Sequence, residues 1–171
     1  MQEEISLSAT LTNIAKAWDK AAVTPYPEKQ NWIRNALANV YALNSKWYLE
    51  KLPQEVPLWK EWLNATAAGV EKNFNSIVTY VNSTLSWSEI QWISEDYQSL
   101  LNLNMLRSQI AFLIDTYREF LDDSQISAFE LDAFDERLRN LGDASNLPER
   151  LIPDGLPRTH WWWHTFQDPE H

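Results

Sequence analysis

Residues 59–81 read "WKEWLNATAAGVEKNFNSIVTYV". Trp59, Leu63, Val70, Phe74, Ile77 and Val81 stand three, four or seven positions apart. A half-buried strand alternates every second residue, whereas this spacing lays one apolar stripe along a helix, close to a heptad. No proline interrupts the segment. The reading predicts a long amphipathic helix, and it sets the fold class if its neighbours read the same way.

They do. On the N-terminal side, Leu7, Leu11, Ile14 and Trp18 form one stripe, and Ile33, Leu37, Val40 and Trp47 form another. The stretch "TPYPE" separates these two, with Pro27 placed to open the second helix. "LPQEVP" then separates the second helix from the third, because Pro53 and Pro57 cannot sit inside a regular helix. On the C-terminal side, Ser86-Trp87-Ser88-Glu89 has the form of a capping box. It predicts a new helix from about Trp87 to Leu121, with a kink or break near Asn102–Asn104. "DDSQ" opens a further helix carrying Ile126, Phe129, Phe134, Leu138 and Leu141, closed by Gly142. Beyond it Pro148, Pro153, Pro157 and Pro169 forbid a long helix.

The expected architecture is therefore all-α. A bundle of five or six helices occupies residues 1–145, and an irregular tail, 146–171, packs against it. Glycine is scarce, at Gly69, Gly142 and Gly155 only, which argues against a β-rich or nucleotide-binding fold. A chain of 171 residues buries enough surface to need no covalent staple, and it has no cysteine. That composition excludes disulfides, thiolate metal sites and a cysteine nucleophile, and it fits a reducing, cytoplasmic setting. The N-terminal "MQEEISLSATL" has acids where a secretion signal carries bases, and no stretch is apolar enough to span a bilayer.

Charge is segregated. The net charge is −10. Residues 1–85 balance eight acids with eight bases, while residues 86–145 set twelve acids against four arginines. Such a surface repels phosphate backbones, so nucleic acid is not an expected partner, and a basic protein is the electrostatically favoured one.

Few residues suggest catalysis. All three histidines, His160, His164 and His171, lie in the tail, so the Glu-x-x-His pairs of carboxylate-bridged metal bundles and the His-Glu-x-x-His metalloprotease motif are both missing. His160 and His164 would share a face if the tail were α-helical, and would then offer a metal two ligands, with Asp168 or His171 as a third. Asp115, Glu119, Asp122 and Asp123 follow a course that would align on one face of a continuous helix. That face reads first as a solvated contact surface. As the alternative it reads as the carboxylate cluster of a small divalent-metal enzyme. Glu119–Glu130 imitates the end of a calcium loop, but Leu121 removes a ligand and Ser124 replaces the required glycine.

The remaining signal is "HWWWHTF", residues 160–166. Seven further tryptophans fall mostly on the helical stripes and read as core. Three adjacent indoles cannot all face one surface, since consecutive side chains point about 100° apart on a helix and to opposite sides of a strand. Two readings follow. The tail straps the end of its own bundle, or Trp161, Trp162, Trp163 and Phe166 dock on a partner. The functional expectation is a non-enzymatic interaction protein, namely a helical adaptor, regulator or inhibitor. It would use the acidic face and the tryptophan tail and need no cofactor. Its apolar stripes at 59–81 and 90–121 would form a homodimer seam if one bundle failed to cover them.

Overall fold

The computed structural model describes residues 6–47, 51–91, 98–144, 147 and 149–167, with side chains outside the description at 87–91, 98–99, 141–144 and 165–167. Among the described residues every regular element is helical and there is no strand. The protein is an all-α bundle with an irregular C-terminal segment.

Helix α1 (Leu7–Val23) starts at Ser6, whose Oγ accepts the Ala9 amide at 3.1 Å. The proline-flanked turn leads into α2 (Glu28–Trp47), and the two pair along their length. A single turn, α3 (Leu52–Glu55), fills the connection to α4 (Trp59–Gln91). Helix α1 runs in the same direction as α4, because the Trp62 indole donates to the Leu11 carbonyl while Asn73 donates to the Trp18 carbonyl. Gly69 makes this approach close, since a Cβ there would lie 2.7 Å from the Trp18 Cβ. Helix α5 (Gln98–Thr116) lies against α2 and α4. Polar contacts at its C-terminal end tie this part of the chain to each neighbour. Asn44 donates to Thr116 Oγ1 at 3.0 Å, and the Tyr117 hydroxyl donates to Thr66 Oγ1 at 3.1 Å. Burial pushes the Tyr117 phenol up to about 12, so it remains a neutral donor.

The short α6 (Asp123–Ser127) and α7 (Leu131–Ala144) follow, and Phe129 between them packs edge-on against Phe74 of α4 at 5.5 Å. The apolar stripes at 59–81 and 98–117 are consumed inside the chain: Val70, Ile77, Val81, Leu103, Ile110, Leu113 and Tyr117 are all buried. No helix among the described residues is long and apolar enough to cross a membrane.

Helix ends differ from the sequence reading at three places. Ser86 does not open a helix: α4 runs on to Gln91, and the Ser86 hydroxyl donates back to the Asn82 carbonyl at 3.0 Å. Serine in mid-helix satisfies itself this way, so a Ser-x-x-Glu pattern alone does not mark an end. Asn102–Asn104 is uninterrupted helix within α5, and residues 92–97 lie outside the described residues. The segment after "DDSQ" is two helices, divided at Glu130 (φ 50°), and Gly142 lies inside α7 rather than closing it.

Candidate functional site

Two regions gather the residues that sequence reasoning singled out. The first is the tail. Between Leu103 and Tyr117 only Asp115 is exposed, so α5 is buried on nearly every side. Helices α2 and α4 cover part of it, and the tail covers another face. Leu147 is buried, and Leu151, Ile152 and Leu156 pack against the core as the chain returns. Gly155 (φ 77°) crosses the end of α2 so closely that a Cβ would meet the Ser45 carbonyl oxygen at 2.5 Å. This brings the 3₁₀ segment Trp161–Gln167 onto α5 and α7.

The contact centres on Ser108. Its Oγ accepts the Trp162 indole N–H at 3.1 Å and the Trp163 indole N–H at 2.9 Å, and lies 2.9 Å from His160 Nδ1. An indole only donates, so both lone pairs of the hydroxyl are taken. The hydroxyl hydrogen must then go to Nδ1, which fixes His160 as the neutral tautomer protonated at Nε2. Burial, helped by the nearby Arg107 guanidinium, lowers the imidazole to about 4, in keeping with that assignment.

Rings and cations stack around this centre. His160 lies on Trp162 at 4.6 Å and against Phe112 at 4.7 Å. Arg107 sits 4.5 Å from the Trp162 ring and is held by Asp135 of α7 through bonds of 2.7 and 3.3 Å. Arg139 sits 4.5 Å from the Trp161 ring.

The placement changes how the candidate residues read. Trp162 and Trp163 are 3% and 1% exposed, so neither has surface to offer a partner, while Trp161 is half-buried. The Phe166 side chain lies outside the described residues. His160 and His164 are not brought together as metal ligands. The tail is not α-helical, and the backbone leaves helical values at His164 (φ −129°, ψ 32°). His160 is buried with Nδ1 engaged, and His164 is exposed. Asp168 and His171 lie outside the described residues. Ser108, Arg107 and Asp135 were not singled out from sequence. A usable signal was there, since apolar residues of α5 fall all around its circumference (Leu100, Leu103, Met105, Leu106, Ala111 and Phe112 among them), and such a helix requires cover on all sides.

The second region is the corner where α5 turns into α6. The four acids chosen from sequence do not share one helical face, because α5 ends at Thr116 and the chain turns through Tyr117–Phe120. Asp122 instead caps α6, with Oδ1 accepting from the Gln125 amide at 2.8 Å and the Ser124 hydroxyl at 2.7 Å. Those bonds, the serine's first, hold its carboxyl below the usual range. Asp115 pairs with Arg118 at 3.0 Å. Glu119 and Asp123 are exposed.

A cavity of about 320 Å³ opens here between α4 and the α5–α6 corner. Ala67, Val70, Tyr117 and Leu121 supply its buried and half-buried side, and exposed Glu71 and Asp122 stand at its edge. Phe120 is 41% exposed beside them. Of the four predicted acids only Asp122 lines the cavity, and Glu71 was missed because it comes from a helix remote in sequence. No group of three or more histidines, aspartates or glutamates among the described residues is placed to hold a metal ion.

Comparison with known proteins finds no matching family model, no similar curated protein and no similar solved structure.

Proposed function

We propose that the protein is a non-enzymatic interaction protein, an adaptor, regulator or inhibitor, that docks a basic protein on its acidic corner. The observation that carries this reading is Phe120. It is a large apolar ring left 41% exposed at the mouth of a cavity, with Glu71, Glu119, Asp122 and Asp123 exposed around it. An apolar centre in a charged rim is the anatomy of a recognition surface, and the excess of acids over the nearby Arg118 and Lys72 favours a partner of opposite charge. In this reading the tail is the strap that holds α5 in place, and of its three tryptophans only Trp161 keeps surface for binding.

Site-specific photo-cross-linking tests the reading. Phe120, and separately Lys16 on α1, is replaced by a photoreactive phenylalanine analogue, and each full-length variant is irradiated in native extract. The expected result is a discrete adduct with a basic protein from position 120 alone. Equal adducts from both positions, or an acidic protein as the adduct, would overturn the proposal.

A further inference from the structure

Resting on that docking reading, we infer that the cavity beside Phe120 is a socket for one arginine side chain of the basic partner. At about 320 Å³ the cavity lies at the small end of ligand sites, which begin at roughly 300 Å³, and suits one long side chain better than a cofactor. Its wall of buried Ala67 and Val70 and half-buried Leu121 matches an aliphatic stem. Its edge carries the carboxylates of Glu71 and Asp122 and the side-chain amides of Asn64 and Gln125, and no basic side chain lines it. The occupant is therefore apolar along its length and cationic at its tip.

Two features favour arginine over lysine. The exposed Phe120 ring offers a flat face on which a planar guanidinium stacks, and the guanidinium is less strongly hydrated than an ammonium. The acceptors also come from several directions, on α4 and on α6, which a group with five N–H donors satisfies better than one with three. The same chain already places guanidinium groups on aromatic rings at Arg107–Trp162 and Arg139–Trp161. Glu71 forms no ion pair among the described residues, and the bonds that make Asp122 a cap favour the charged form of its carboxyl.

The experiment titrates the full chain with blocked pentapeptides Gly-Ala-Xaa-Ala-Gly in which Xaa is arginine, lysine, norleucine or glutamate, and follows backbone amides by heteronuclear NMR. The arginine peptide is expected to shift Ala67, Ala68 and Leu121 saturably, with the lysine peptide about tenfold weaker and the other two silent. Ala68→Trp, which fills the mouth from an exposed position, and Glu71→Gln are each expected to weaken the arginine peptide about tenfold without lowering Tm. A lysine or norleucine peptide that binds as tightly, or arginine binding that survives Ala68→Trp, overturns the socket. Binding of free arginine amide without binding of the peptide also overturns it, since the occupant is then a small cation. If the peptides fail while cross-linking from position 120 still yields a basic protein, the docking surface stands and the socket falls. If both fail, both proposals fall.

Discussion

The tail and the acidic corner each set aromatic rings beside charged groups, but they treat those groups in opposite ways. At the tail the rings of His160, Trp162 and Trp163 are buried, the Ser108 hydroxyl has every valence used, and Arg107 is neutralised by Asp135. At the corner one ring stands open, and among the described residues only Asp115 of the surrounding acids is paired with a base, on the surface. Satisfied, desolvated polar groups stabilise a fold, whereas unsatisfied charge on the surface costs little and is free to meet something else. The richest cluster of aromatic residues in the sequence is thus internal structure, and the plainer corner is the exposed one.

The comparison breaks first if the tail is not structural. Trp163→Ala is expected to have the largest effect, about 3–5 kcal/mol of destabilisation in a denaturant melt, because it removes a side chain only 1% exposed. A loss below about 1 kcal/mol would mean the tail contributes nothing to the bundle. Ser108→Ala comes next, at about 2–4 kcal/mol, since two indole donors lose one acceptor while Nδ1 loses its donor. Ser108→Thr keeps the hydroxyl and separates the loss of hydrogen bonds from the loss of shape.

The pH dependence sharpens the contrast. His160 titrates near 4 in the fold against 6.5 in the unfolded chain, so the unfolded state binds the proton first as pH falls. The stabilisation from neutral His160 is complete above about 6.5 and is lost progressively between 6.5 and about 4. The groups beside the ring are Arg107 on α5 and, through it, Asp135 on α7. Stability measured across that range should fall with acid in the native chain and fall less in His160→Gln. Parallel slopes would remove the histidine from the account.

The smallest expected effect lies at the corner. Glu119→Gln should change stability by no more than about 0.5 kcal/mol and Phe120→Ser by no more than about 2 kcal/mol, because the first residue is exposed and the second keeps 41% of its surface in water, yet both should weaken peptide capture. A large drop in Tm from either would erase the distinction between the two regions.

The fold was legible in the sequence because apolar spacing is a local property. The stripes of α1, α2 and α4 and the helix start at "DDSQ" each declare themselves within a few turns. Helix ends were less so, since Ser86 satisfies its hydroxyl inside a helix as readily as at a cap. The aromatic residues of the tail were visible, but their destination was not. Ser108 lies 54 residues before Trp162, and nothing local connects them. The same holds for Glu71, which joins Asp122 only after α4 and α6 have packed.

The 54-residue separation has a consequence for synthesis. Chains emerge from the ribosome N-terminus first, so α5 is made well before the indoles that cover it. One greasy flank of the central helix faces water until the translating ribosome has released residues 160–163. Messages truncated just upstream should therefore yield sticky, protease-sensitive products.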